Sequence, residues 1–394
     1  MTISMLKKLR YGVTSFVATI TMCQAQTAKV IVSVSNLSQF ERRAETVTVN
    51  WDALQKLVPG LDAKNVSIVQ EGDGRELLYQ VFNPGSDFAA TEFLFQSDFK
   101  ANETKRFIIR SSPKELSKDT SLVDARYVEP RQDLAWENDR IAFRVYGPAL
   151  AGEVNNGIDV WTKRVRYRIV KKWYEGEERT PKIIYHVDHG EGADFFDVGR
   201  SLGCGGTGIW FNEKVIQPGV FSSYKIVATG PIRASFELHY DHWSFNGRTL
   251  KETKRVTLDA GQNLNRIEVS FKDVQYSEPT MVAYGLVKRP NTKLSKNDEG
   301  RWMSLWGLTN ADSTNGLLGT GVVLPSTGRV QWTEDSSQYI AFWSLAGKSE
   351  FSYYAGAGWT RSGDFNTVED WNAYLDRFAA GLQSPLKVAV VRGE

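Results

Sequence analysis

Alternation with a period of two is the feature that most restricts this chain. Apolar and polar residues trade places in "TVTVNW" (46–51), "NVSIV" (65–69), "LLYQVF" (77–82) and "KRFIIR" (105–110). A pleated strand sends successive side chains to opposite faces, so such segments bury one face and wet the other. The pattern resumes in "RIAFRVYG" (140–147), "RVRYRIV" (164–170), "IRASFELHYDHW" (232–243) and "NRIEVSF" (265–271). It continues through "TMVAYGLV" (280–287), "YIAFWSL" (339–345) and "FSYYAG" (351–356). Helical patterning is clear only in "NTVEDWNAYLDRFAAGL" (366–382). There Trp371, Tyr374, Leu375, Phe378 and Leu382 share a face, and Asn366 with Glu369 reads as a capping box. No βαβ alternation and no internal repeat is found. The expected class is all-β: a large antiparallel β-sandwich, with a smaller N-terminal β-sandwich region and one C-terminal helix.

A chain of 394 residues suggests about two domains. The first strand group spans roughly 26–112. A polar, Pro-punctuated stretch, "SSPKELSKDTSLVDARYVEPRQD", follows and reads as a linker over about 113–133. Residues 134–394 form the large β-sandwich expected to carry the site. Ahead of all this, "MTISMLKKLRYGVTSFVATITMCQAQ" has a basic start, a short apolar run and small residues before a cut. That is the pattern of a secretory signal peptide cleaved after Ala25, and it implies an exported protein, periplasmic or secreted. The apolar run is too short and Thr-rich to span a bilayer, and Met22 argues against lipidation of Cys23.

Loss of Lys7, Lys8 and Arg10 with the signal lowers the formal charge from +2 to −1. A nucleic-acid partner would need a strongly basic footprint, which is absent. Cys204 is then left without an intrachain partner, so no disulfide holds the fold.

Chemistry concentrates in "YHVDHGEGADFFDVGRSLGCGGTGIW" (185–210), which holds two of the four histidines, four carboxylates, Arg200 and seven glycines. "KIIYHV" reads as a strand end, and the glycine-rich run after it as a binding loop on a rigid sheet. His186, at the edge of a cleft, can move a proton near neutral pH. In "ELHYDHW" (237–243), Tyr240 and His242 share a strand face with Leu238, and Tyr240 is a candidate acid or base. The bland alternatives are a solvated turn for the first segment and a buried, satisfied tyrosine for the second. Among the cations, Lys163, Arg200 and Arg233 adjoin these segments and suit an acidic ligand; Arg166 and Arg168 read as a solvated strand face. Trp210, Trp243 and Trp359 flank the same regions, Arg361 follows "GAGW", and aromatic faces pack well on sugar C–H faces. The His186/Asp188/His189 and His239/Asp241/His242 groups contain metal-ligating atom types. Their spacing matches no HExxH or Cys-rich signature, so no cofactor is expected and a divalent metal is the alternative. Cys204 reads as a small inert residue.

The segments "ENDRIAFRVYGPA", "GIDVWTKR", "YHVDHGEGADFFDVGRSLGCGG", "GPIRASFELHY" and "YYAGAGWTRSGDF" together resemble a bacterial family formerly of unknown function. That family includes an oligosaccharide dehydratase of ulvan degradation. The resemblance covers most of residues 30–390. It implies removal of water from a non-reducing-end uronic acid (glucuronic or iduronic) of an acidic, possibly sulfated oligosaccharide, leaving a 4,5-unsaturated residue. The "ENDRIAFRVYG" strand is also similar to strands of the mutarotase-like supersandwich shared by several polysaccharide lyases. Such an elimination needs a cation at the sugar carboxylate, a base for H5 and an acid for O4. On the residues themselves, Arg200 with Lys163 or Arg233 would hold the carboxylate, and His186 and Tyr240 would divide the proton transfers. His189 and His242 stand in reserve, and Trp210, Trp359 and Arg361 would bind sugar. A non-catalytic acidic-oligosaccharide-binding protein and an aldose epimerase are the competing readings; a glycoside hydrolase is weaker, since no carboxylate pair has a definable separation.

Overall fold

The structure, a computed structural model, describes residues 28–84, 91–113, 121–272, 280–299, 301–324, 330–345 and 348–393, without the His242 side chain. The expected signal peptide and its cleavage site lie outside the described residues. The chain is an all-β protein; among the described residues it has five sheets whose ladders pair antiparallel, as the alternation predicts.

The N-terminal unit is a two-sheet sandwich. One sheet has the order Lys387–Gly393, Lys29–Ser35, Thr104–Ser111, Val66–Gln70; the other has Arg42–Asn50, Glu92–Phe99, Tyr79–Phe82. Alternate residues Val30, Val32 and Val34 meet Phe93, Phe95 and Phe107 in its core. The last strand of the chain thus returns to this unit, along the full length of Lys29–Ser35. The linker segment is partly strand: Asp124–Val128 pairs with Asp133–Glu137, because Val123 and Ala125 are buried in the large core.

The large unit is a two-layer sandwich. One layer is an eight-stranded sheet that includes Ser223–Thr229, Arg233–Phe245, Arg248–Asp259, Leu264–Lys272 and Glu350–Trp359. The other layer is two five-stranded sheets. The first runs Gly192–Asp194, Asp159–Lys163, Ala142–Val145, Asp133–Glu137, Asp124–Val128; the second contains Cys204–Phe211, Met281–Val287 and Gln338–Ser344. Trp136 of the first packs on Phe236 of the eight-stranded sheet at 4.8 Å, and Tyr284 of the second stacks on Tyr353 at 4.8 Å. The bridge between Ile158 and Gly203 joins the two smaller sheets.

Glycine makes that junction possible. A Cβ on Gly203, at φ +57°, would lie 2.4 Å from the Ile158 carbonyl oxygen, and one on Gly192 only 2.0 Å from that of Thr162. Most of residues 192–209 is consequently buried, with Asp197, Gly199 and Arg200 at the surface. The glycine run is a close-packed crossing between sheets rather than an open binding loop.

Three helices cover the sheets. Helix α1 (Trp51–Leu57) caps the N-terminal unit, with the Asn50 side chain accepting from the Ala53 N–H. Helix α2 (Val170–Glu177) begins where the expected strand at 164–170 would end, and 164–169 form a bend and irregular backbone rather than a strand. Its buried residues Val170, Trp173 and Tyr174 fall at helical, not strand, spacing. Its own N-cap, Ile169, has no side-chain oxygen. The Glu137 carboxylate supplies the cap from the neighbouring sheet, accepting the N–H groups of Ile169 and Val170 at 2.8–2.9 Å. Helix α3 (Val368–Gln383) is the expected terminal helix, with its capping box at Thr367 and Asp370, one residue beyond the predicted pair. It lies flat on the eight-stranded sheet because Gly319, Gly321 and Gly358 present no Cβ to Trp371, Leu375 and Phe365.

Candidate active site on the outer face of the first five-stranded sheet

The inner face of the first five-stranded sheet is apolar, whereas its outer face is charged. Alternation places Asp133 and Glu137, Arg144, Asp159 and Lys163, and Asp194 on that outer face, and all six are buried under α2 and residues 185–186. At the centre, the Arg144 guanidinium bonds Asp159 at 2.6 Å and Asp194 at 2.8 Å, with Asp133 at 3.8 Å. It also donates to the hydroxyls of Tyr185 at 3.0 Å and Tyr146 at 2.9 Å. The Tyr146 hydroxyl in turn donates to Asp159 at 3.1 Å.

Three carboxylates against one guanidinium make an acid-rich core. Burial opposes the charge on Arg144, but Asp159 and Asp194 more than compensate and hold it protonated. Burial, then the Asp159 charge, pushes Asp194 well above the usual carboxylate range despite Arg144. Burial raises Asp133 as well. Tyr146 is raised by burial and by Asp159, and burial pushes Tyr185 up to about 12. Both phenols therefore hold their protons at neutral pH.

His186 stands at the rim of this core. It lies in a turn, not at the end of a strand, because Ile183, Ile184 and Val187 face solvent instead of a neighbouring strand. Its Nδ1 sits 3.0 Å from the Asp194 carbonyl and 3.5 Å from the Asp194 carboxylate, and its ring packs on Tyr185. The carbonyl can only accept, so Nδ1 carries hydrogen and Nε2 keeps its lone pair. The side chain is 54 % exposed, and Nε2 has no partner among the described residues. Tyr146, half-buried, is three contacts away, through Arg144 and Asp194. Two residues beyond His186, the Asp188 carboxylate draws in Arg164 at 3.0 Å and Arg361 at 3.8 Å, both partly exposed. One carboxylate faces two guanidiniums here, while Arg361 also faces Asp312 and donates to the Thr314 carbonyl. Both cations lie over the buried Trp359 ring, at 5.5 and 5.9 Å.

Of the residues singled out from the sequence, His186, Arg361 and Trp359 are thus brought into one neighbourhood. His189 is exposed on the same turn, its Nε2 3.2 Å from the Ile184 carbonyl. The others are elsewhere or already engaged. Lys163 is fully buried, and its Nζ is held by Glu137 at 2.7 Å and the Asn138 carbonyl at 2.6 Å. Arg200 is exposed and donates to the Gly152 carbonyl. Arg233 is clamped by Asp259 at 2.7 and 2.8 Å and by Glu92 at 3.2 Å. Trp210 stacks on Phe342 at 5.0 Å. The His242 side chain lies outside the described residues.

Tyr240 is in another compartment. It points between the two layers and is 2 % exposed, beside Glu252 and Lys254, and burial followed by the Glu252 charge raises it strongly. A sugar reaching His186 from solvent cannot reach this hydroxyl while the sandwich is closed. The missed residues are Arg144, Tyr146 and Arg164. Their signal was present: Arg144 and Tyr146 alternate on one face of "RIAFRVYG", and Arg164 adjoins Lys163 at the strand end. Cys204 is buried, and burial pushes its thiol up to about 12, which suits an inert packing residue. Among the described residues, no three His, Cys, Asp or Glu side chains gather at metal-binding geometry, and no helix is long and apolar enough to cross a membrane.

A two-layer β-sandwich with a smaller β-unit at its side is an architecture found within carbohydrate-active enzymes. An α-mannosidase from Enterococcus faecalis V583 superposes with a TM-score of 0.51 at 11 % identity, over 92 % of this chain and 46 % of its own. A protein in glycosyl hydrolase family 38 from Enterococcus faecalis gives a TM-score of 0.51 at 12 % identity, over 93 % and 48 %. The chain spans about half the length of these enzymes, and the likeness is one of fold. By sequence, the chain belongs to the family described as "Domain of unknown function (DUF4861)", whose model matches residues 34–388. It is also 31 % identical over 378 residues to "Uncharacterized protein P7" of Formosa agariphila, covering 91 % of this chain and 93 % of that protein.

Proposed function

We propose that this protein is a carbohydrate-active enzyme that eliminates water from a non-reducing-end uronic acid of an acidic oligosaccharide such as an ulvan fragment. The observation that carries this reading is the His186 imidazole: Nδ1 fixed on Asp194, Nε2 open to solvent, with Tyr146 linked to it through Arg144 and Asp194, and the Arg164–Arg361 pair held by Asp188 two residues along the turn. Arg164 and Arg361 hold the sugar carboxylate, so that charge developing there on loss of H5 is stabilised. His186 Nε2 removes H5, and the C5–H electrons form the C4=C5 bond. The C4–O4 bond breaks as Tyr146 gives O4 its proton, and water leaves. Exchange with solvent takes the proton from His186 and returns one to Tyr146. Tyr146 thus takes the role the sequence assigned to Tyr240. The raised phenol stays protonated at neutral pH, so it holds the proton that O4 must receive. Side chains alone supply base, acid and cation, so no cofactor is invoked. The basic and apolar N-terminal segment fits export to the periplasm or medium.

The test is incubation of the mature protein with uronic-acid oligosaccharides, following ultraviolet alkene absorbance and loss of one water by mass. Both signals are expected, and neither should appear with His186→Ala. Tight binding with no alkene would instead establish a sugar-binding protein, and interconversion of anomers without alkene an epimerase. Near-normal turnover in both His186→Ala and Tyr146→Phe would discard the assignment of roles.

A further inference from the structure

A second polar cavity lies away from His186, where the N-terminal sandwich, the outer face of the eight-stranded sheet and helix α3 meet. We propose that it is an oligosaccharide-binding cleft, taking a sugar chain that carries carboxylate or sulfate groups. Its volume is about 990 Å³, at the upper end for small-molecule sites and enough for several sugar rings.

The cleft is held open by bonds between the two units rather than by chance contact. Gln80 Oε1 accepts the N–H groups of Ile232 at 2.9 Å and Arg233 at 2.7 Å. Gln96 donates to the Ala260 carbonyl at 2.8 Å, and Gln262 to that of Ala44 at 3.0 Å. A preformed wall loses little freedom when a ligand enters.

Its lining has the chemistry of a sugar site. Tyr354 and Phe378 pack edge to face at 4.9 Å, offering aromatic surface for C–H faces. Arg233, clamped by two carboxylates, is a planar donor fixed before the ligand arrives. Arg255 is held by Glu237 beside the cleft, so the sign of the ligand follows from the lining cation left without an ionic partner. Seven arginines and six carboxylates line the cleft, and each of the six carboxylates is already paired with one of those arginines. Arg377, exposed on α3, has no ionic partner among the described residues and is left to meet an anion. The acidity of the ligand agrees with the proposed dehydratase reading, but the cleft is argued from its own residues.

The test reads binding, not catalysis. Wild-type protein, His186→Ala and an Arg43→Glu/Arg377→Glu double variant are run by affinity electrophoresis in alginate, dextran sulfate and plain dextran. Both substituted arginines are exposed, so an unchanged melting curve is the check on folding. Wild type and His186→Ala should be retarded alike by an anionic polymer and not by dextran. The double variant should lose at least about tenfold in affinity, while its turnover of any short substrate stays unchanged. Equal retardation of wild type and double variant, equal retardation by dextran, or no retardation at all overturns the cleft. Loss of retardation in His186→Ala alone does so too, by assigning all binding to the first site. Alkene formation is read separately, so absence of dehydration leaves this proposal standing or falling by itself.

Discussion

Two buried charged clusters in the large unit each combine a cation, carboxylate and tyrosine and differ in what surrounds them. The Arg144 cluster, on the outer face of the first five-stranded sheet, gives its guanidinium four hydroxyl and carboxylate partners within 3.0 Å and reaches solvent through Tyr146 and His186. The Glu252 cluster lies between the layers. Glu252 touches Thr207 at 3.1 Å and Lys254 at 3.7 Å, while the Lys254 amine and the Tyr240 and Tyr284 hydroxyls have no hydrogen-bond partner among the described residues. Burial shifts both clusters. In the sealed one it drives Glu252 up and Lys254 down, towards neutrality. In the open one Arg144 stays charged. Connection to a solvent-facing imidazole, not burial or a perturbed tyrosine, separates a candidate catalytic centre from a structural pair.

The contrast is broken most directly by removing the proton carriers. His186→Ala and Tyr146→Phe should each lower kcat about 10²–10⁴-fold, measured by alkene absorbance, whereas Tyr240→Phe should leave kcat near wild type. A reversed order would move the chemistry to the sealed cluster. Next in size, Arg144→Met should cost about 3–5 kcal/mol in urea unfolding, because it strands buried carboxylates. A loss below about 1 kcal/mol would mean that those acids simply take up protons. A smaller, kinetic effect is expected at the rim. Arg164→Ala or Arg361→Ala should lower kcat/KM about tenfold, as loss of a charge-assisted hydrogen bond does, and unchanged kcat/KM would place the carboxylate elsewhere.

The smallest effect is expected from Glu252→Gln/Lys254→Met, which should change stability at pH 7 by less than about 1 kcal/mol or raise it. The pH profile sharpens this. A raised Glu252 binds its proton better folded than unfolded, so stability falls as pH rises from 4.5 through the native value. A lowered Lys254 does the reverse, so stability returns as pH rises from its native value to 10.5. The wild type should show a trough between these limits that the double variant lacks; identical profiles would show that the pair does not titrate in this range.

Much of the fold was legible. The alternating segments at 65–69, 77–82 and 105–110 match strands within two residues, and 46–51 covers the second half of Arg42–Asn50. Lys29–Ser35 and Glu92–Phe99 were not read, and α3 appears where its apolar stripe placed it. The strand read at 164–170 failed because "RVRYRIV" alternates by chance, and helix α2, which starts at its last residue, was not read. The 170/173/174 spacing carried the helix, but its start depends on Glu137, some 30 positions upstream. The glycine run was read as room for a ligand, whereas Gly192 and Gly203 serve the approach of one backbone to another. Tyr240 could have been recognised as internal, since it shares its face with Leu238, which is fully buried.

The order of residues by itself determined the β class, the position of the terminal helix and the clustering of histidine, acid and glycine around 185–206. Tertiary structure alone decided which cation is open, Arg164 rather than Lys163, and which tyrosine joins the Arg144–Asp194 network that ends at the histidine, Tyr146 rather than Tyr240. Alternation states which side chains share a face of a strand. Whether that face meets another sheet, a helix or water depends on the layer packed against it, which is assembled from segments far apart in the chain.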